Sequence, residues 1–149
     1  MLRRGELISM KSLINVFSEQ RGILDTSVLI DLDQPDVFAQ LPHACAVAAI
    51  SLAELAAGPV LASDRFVAAR RQFRLQQVES TFEVIEFGSG AARAYGQVVS
   101  AVREHGRSHR SRVADLLVAA TAINERAALY TRNPSDFEGL EDLLEVFGV

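Results

Sequence analysis

The chain has one cysteine, one lysine and no tryptophan among its 149 residues. The lone Cys45 excludes an internal disulfide, and its setting in Ala44-Cys45-Ala46-Val47 reads as a small buried hydrophobe. A chain built without disulfides fits a reducing compartment. Three histidines, His43, His105 and His109, have no cysteine or acid at ligand spacing, which argues against a His/Cys zinc centre and leaves them as surface or loop residues. No apolar run approaches the roughly 20 residues of a membrane span. The charged N-terminus is followed by no long apolar stretch, so a cleaved signal peptide is not expected and the expected location is the cytoplasm. A net charge of −4 argues against a protein that coats nucleic acid generally, while 49% apolar residues argue against disorder.

What the chain does have is arginine: Lys11 stands alone among 15 basic residues. The arginines cluster at Arg65, Arg70, Arg71 and Arg74, and again at Arg103, Arg107, Arg110 and Arg112. Arginine suits bidentate phosphate contact; a solvated helix face explains the first cluster equally well, while the second lies just before Asp115.

Apolar periodicity points to an α/β domain. Buried strands are expected at 23–24, 45–50, 82–87 and 127–130, with a last one at 144–147. Helices are expected from Thr26 to Asp31, from Ser51 to the Gly58-Pro59 pair, over 64–78 with Phe66, Ala69 and Phe73 along one side, and around Ala92, Tyr95, Val98, Val99 and Val102. The clearest helix carries the stripe Val113, Leu116, Leu117, Ala120 and Ile123. Alternating strands and helices imply a central parallel sheet of four to five strands flanked by helices. The domain is expected to span residues 22–149. Residues 1–21 form an N-terminal extension in which Leu7, Met10, Ile14 and Phe17 have helical spacing, with Met10 as an alternative start.

Four acids fall where strands hand over to helices or loops: Asp25, Glu54, Asp115 and Asp136. Each has an ordinary explanation. Asp25 suits an N-cap, Ser51-Leu52-Ala53-Glu54 matches a capping box, Asp115 gains from a helix dipole, and Asp136 suits a turn after Asn133-Pro134. In a parallel sheet, however, such junctions meet outside the carboxyl ends of the strands. Carboxylates gathered there repel one another unless a divalent cation joins them, and oxygen-only donors favour Mg²⁺ or Mn²⁺ over zinc.

At these residues the chain resembles a PIN-domain ribonuclease, and within that group a VapC-type toxin of a toxin–antitoxin pair. The resemblance covers residues 22–149. It rests on Ile23-Leu24-Asp25-Thr26-Ser27-Val28-Leu29-Ile30, on Ile50-Ser51-Leu52-Ala53-Glu54-Leu55 with Gly58 following, on Asp115-Leu116-Leu117-Val118-Ala119-Ala120, and on Leu129-Tyr130-Thr131-Arg132-Asn133-Pro134-Ser135-Asp136-Phe137. The four motifs occur in order, and none of the acids is replaced. The N-terminal extension is longer than such toxins usually carry. The resemblance implies a single PIN-like domain with metal-dependent endoribonuclease activity on tRNA or rRNA. It also implies homodimerisation, inhibition by a small VapB-type antitoxin, and higher hetero-oligomers with that antitoxin. Asp25, Glu54, Asp115 and Asp136 would be the catalytic and metal-binding set, with Thr26, Ser27, Thr131 and Asn133 orienting ligands or water behind them. Arg112 and Arg132 flank the acids as candidates for holding the RNA backbone; ion pairing with acids is their alternative role.

The rivals each lack a residue. An acylphosphate-forming phosphatase needs an aspartate where Ser27 stands. A receiver-like module needs an acidic pair after the first strand and a lysine after the last. A non-catalytic protein-binding module stays open, because fold alone does not fix function.

Overall fold

The computed structural model describes residues 21–149, so the expected helix within the N-terminal extension lies outside the described residues. Among the described residues, five strands, β1 (Gly22–Leu24), β2 (Cys45–Ala48), β3 (Glu83–Ile85), β4 (Ala128–Thr131) and β5 (Val146–Gly148), form one sheet in the order β3-β2-β1-β4-β5. Every neighbouring pair is parallel. Six helices connect them: α1 (Thr26–Ile30), α2 (Pro35–Phe38), α3 (Ala49–Val60), α4 (Arg65–Thr81), α5 (Ser89–Glu104) and α6 (Val113–Asn124), with 3₁₀ turns at Arg110–Arg112 and Pro134–Phe137. The expected α/β architecture is present; β1 gains one residue at its start, and the other strands are shorter than or displaced by one or two residues from their apolar runs.

The sheet is buried on both faces, which is why its strands read as unbroken apolar runs rather than alternating ones. The period of two still decides which face each residue serves. Ile23, Ala46, Ala48 and Leu129 point into a core closed by α5 and α6, where Val98, Val102, Leu116, Ala119 and Ala120 are buried. Leu24 and Val47 point the other way, against Val28, Leu29, Val37, Leu55 and Val78 from α1 to α4. At the start of β1 the chain passes so close to its neighbours that a Cβ on Gly22 would lie 2.5 Å from Pro42 Cγ and 2.8 Å from Tyr130 Cε2.

Several local expectations are corrected. Helix α6 is buried around most of its circumference, at Leu116, Val118, Ala119, Ala120, Thr121 and Ala122, whereas Val113 at the head of the expected stripe is exposed. Packed between sheet and α5, the helix needs no single apolar stripe. Phe66 and Phe73 of α4 face solvent, and Val78 is that helix's buried residue. Helix α3 does not stop at Gly58-Pro59. Proline there removes one N–H near the helix end, and the Leu61 N–H still donates to Ala57 at 3.1 Å. Nor does α3 begin at Ser51: its N-cap is Ala48, and Ser51 is fully buried with an unpartnered Oγ. Glu54 therefore occupies no capping box. Helix α2, with Pro35 in its first turn, falls in a stretch where the apolar pattern announces no element. Cys45 is half-buried, its Sγ donating to the Pro42 carbonyl at 2.9 Å, and burial pushes its thiol up to about 11.

Candidate active site

Strand order places the site. The chain runs outward from β1 to β2 and β3 on one side and to β4 and β5 on the other, so β1 and β4 flank the switch point where crevices form beyond the strand ends. Asp25 is the first residue past β1, and its N–H donates to the Tyr130 carbonyl of β4 at 2.9 Å. Its backbone is at the N-cap of α1, where its carbonyl accepts from the Val28 and Leu29 N–H groups, yet its carboxylate caps nothing.

Instead, Asp25 Oδ2 accepts from the hydroxyls of Ser27 (2.8 Å) and Thr131 (2.9 Å). Each hydroxyl in turn accepts a backbone N–H, Ser27 Oγ from Arg132 at 3.1 Å and Thr131 Oγ1 from Asn133 at 3.1 Å. Because an ionised carboxylate only accepts, both hydroxyls donate to Asp25, and the two hydroxyl oxygens lie 3.3 Å from each other. Oδ2 is thus saturated, while Oδ1 is buried with no partner. A buried carboxylate oxygen without a donor is costly in a finished fold and marks a position prepared for a cation or water.

The other acids approach from three elements. Asp115, in the first turn of α6, is partly buried, and burial pushes its carboxyl up to about 6; the charges of Asp25, Asp136 and Glu54 push the same way and Arg112 opposes them. Asp25, Asp136 and Glu54 are thus all near enough to Asp115 for their charges to act on it. Asp136 lies in the 3₁₀ turn after β4 and is ion-paired with Arg112, which also comes within 3.9 Å of Asp115 Oδ2. Glu54, exposed on the second turn of α3, accepts from Thr26 Oγ1 at 2.7 Å.

Among the residues expected behind the acids, Thr26, Ser27 and Thr131 touch them through side chains, and Asn133 enters through its backbone N–H. Arg112 and Arg132 are both engaged with carboxylates in this structure. Arg132 Nε donates to Asp31 Oδ2 at 3.1 Å and its Nη1 to the Val149 carbonyl at 2.8 Å, so the carboxylate its guanidinium pairs with is none of the four acids. Sequence reasoning misses Asp31, which falls at the end of α1 with no local signal to mark it.

Among the described residues, no group of three or more acid, histidine or cysteine side chains is placed so that it could hold a metal ion. The donor set nevertheless fits a hard divalent cation: oxygen atoms alone, one of them buried and unpartnered, beside a carboxylate raised by burial and by its neighbours' charge.

The fold is a five-stranded parallel α/β sheet flanked by helices, with Asp25 directly beyond β1. The chain belongs to the PIN domain family, whose model matches residues 22–141. It is similar to Ribonuclease VapC5 of Mycobacterium tuberculosis, 31% identical over 131 residues that cover 84% of this chain and 91% of that protein. The crystal structure of VapBC-5 from the same organism, a member of the VapBC family of toxin–antitoxin systems, superimposes with a TM-score of 0.77 at 31% identity, covering 87% of this chain and 99% of that one. FitAcB from Neisseria gonorrhoeae superimposes with a TM-score of 0.71 at 27% identity, covering 85% of this chain and 96% of that one.

Proposed function

We propose that this chain is a divalent-metal-dependent endoribonuclease and the toxin of a VapBC-type pair. The observation that carries the reading is the free, buried Oδ1 of Asp25 in a PIN-family chain 31% identical to a ribonuclease. The catalytic unit is residues 22–149, with residues 1–21 preceding it as an extension.

Asp25 and Asp115 would hold Mg²⁺ or Mn²⁺ directly, and Glu54 and Asp136 through water. When bound, the ion lowers the pKa of water and offsets charge growing on the scissile phosphate. The chain's own residues do the positioning. Ser27 and Thr131 fix the rotation of the Asp25 carboxylate and leave Oδ1 as its reactive acceptor. Thr26 holds Glu54 near the mouth of the site, and Arg112 restrains Asp136. Hydrolysis by water, rather than attack by the RNA 2′-hydroxyl, leaves a 5′-phosphate and a 3′-hydroxyl. The substrate in this reading is tRNA or rRNA in the cytoplasm. The partners are a second copy of the chain and a VapB-type antitoxin, matching the toxin–antitoxin assemblies among its structural neighbours. No helix among the described residues is long and apolar enough to cross a membrane.

The test is RNA cleavage by the wild type, Asp25→Asn and Asp115→Asn, with Mg²⁺ or Mn²⁺ and with chelator, followed by end-sequencing of the products. Both variants and the chelated wild type are expected to be inactive. Full activity in any of them overturns the metal site, and a cyclic phosphate product overturns water as the nucleophile.

A further inference from the structure

We propose that the cleft between the end of α5 and the loop over 105–112 is a phosphate subsite for the RNA backbone, with Arg103 and Arg110 as its cations and Arg107 as its tie to the turn that carries Asp136. The proposal rests on the ribonuclease reading above and adds a place where the strand is gripped away from the acids.

The charges lead to it. A polyanionic strand brought up to four carboxylates is repelled unless cations beside them hold it. Arg112 and Arg132, which flank the acids in sequence, are both paired with carboxylates. The cleft is lined by Val99, Arg103, Arg107, Ser108, His109 and Arg110, which brings three guanidinium groups, an imidazole and a hydroxyl together with no carboxylate in the lining. Arg107 has Glu138 at 4.0 Å, whereas among the described residues Arg103 and Arg110 are in no ion pair. Their planar forks match the oxygens of a phosphodiester.

The backbone fixes the cleft beside the acids. Gly106, at φ 77°, ends α5 in a Schellman turn: its N–H donates to the Arg103 carbonyl at 2.9 Å and the Arg107 N–H to the Val102 carbonyl at 3.0 Å. Arg107 Nη1 then donates to the Ser135 carbonyl at 2.9 Å, one residue before Asp136. Two residues past Arg110, Arg112 is ion-paired with Asp136 itself. The loop is thus pinned on both sides of the cleft to the Ser135–Asp136 turn. A phosphate held there sets the register of the strand across the acids and carries no sequence information, which suits a grip rather than a reader.

The experiment is fluorescence anisotropy of a short fluorescein-labelled single-stranded RNA with the full chain, as a function of salt and in chelator, so that no divalent ion adds charge. Arg103 and Arg110 are exposed and their side chains hold no described partner, so their variants keep the fold. Arg103→Gln with Arg110→Gln is expected to bind about tenfold more weakly, with the slope of log affinity against log salt shallower by about 0.7 for each lost contact. Arg65→Gln with Arg70→Gln removes the same charge from α4 and is expected to stay within about twofold of the wild type. Inorganic phosphate at matched ionic strength is expected not to displace the RNA. Equal losses in the two double variants, or an unchanged salt slope in the first, would overturn the subsite. So would displacement by phosphate that the first double variant abolishes, since the cleft then holds the free anion. A poly-glutamate probe that the first double variant loses while it keeps RNA assigns the cleft to an acidic protein segment and also overturns it. A wild type that cuts RNA with Mn²⁺, beside a double variant that binds RNA equally well, removes the subsite and leaves the ribonuclease reading. RNA binding that needs Arg103 and Arg110 in a chain that cuts no RNA removes that reading and leaves the subsite.

Discussion

Asp25 stands at an N-cap position and spends its carboxylate elsewhere. The helix it begins has five residues, too short for a cap to matter much, and two hydroxyls compete successfully for Oδ2. If Ser27 and Thr131 set the rotation of Asp25, the double variant Ser27→Ala, Thr131→Val should lower RNA cleavage and Mn²⁺ affinity by about 10–100-fold while the chain stays folded. Unchanged affinity and rate would show that the rotation is set by packing alone. Asp115 makes a prediction of opposite character. Its carboxyl titrates at about 6 in the fold against an ordinary 3.8, so between those values the folded chain binds more protons than the unfolded one. Stability of the metal-free protein should therefore rise as pH falls from 7.5 through 6 towards 4, the penalty on the charged form being complete above 6. Asp115→Asn should flatten that slope in denaturation midpoints measured across the range. It should also raise stability at pH 7.5 by on the order of 1–2 kcal/mol, the shift being discounted for the part of the side chain that solvent reaches.

Helix α4 shows what its sequence discloses and what it withholds. Its length and arginine content are legible, because no glycine or proline interrupts Arg65 to Thr81. The side it turns inward is not, since Phe66 and Phe73 look like core anchors and lie in solvent. Periodicity shows that residues share a face and is silent on what covers that face. A helix with so little burial leans on its ends. Asp64 Oδ1 accepts from the Phe66 and Val67 N–H groups at 2.8 and 2.9 Å, and Asp64→Ala should cost about 1 kcal/mol in urea denaturation. A loss below a few tenths would mean that packing against α3 holds the helix start without the cap. Glu54 is the complementary case. Its four-residue pattern matches a capping box, but Ala49 and Ile50 extend α3 backwards past Ser51, and the glutamate is left free to reach Thr26 on another element. Local pattern points to the wrong cap because the β2–α3 junction carries no loop to mark it.

At the scale of the whole molecule, the sheet and the four acids can be read from the chain while their wiring cannot. Apolar runs announce buried strands, and Asp25, Glu54 and Asp136 each follow one of them while Asp115 opens a helix. The order β3-β2-β1-β4-β5 is what carries Thr131 to Asp25 across 106 residues, and Arg112 to Asp136 across the mouth of the site, and no local window contains it. That convergence has a measurable consequence, because the same acids that strain the empty fold would bind the ion that relieves it. A ligand that binds only the folded chain stabilises it by about 2.7 kcal/mol at a hundred times its dissociation constant. Saturating Mn²⁺ should therefore raise the melting temperature at pH 7.5, and chelator should remove the whole gain. Protons compete for Asp115 with a midpoint of about 6, so the metal-dependent gain should shrink as pH falls from 7.5 to 5 while the metal-free protein gains stability over the same interval. The two melting curves should thus converge towards low pH from opposite directions. Parallel curves, or a gain from Mn²⁺ that Asp25→Asn retains in full, would place the bound ion somewhere other than the acids at the β1–β4 switch point.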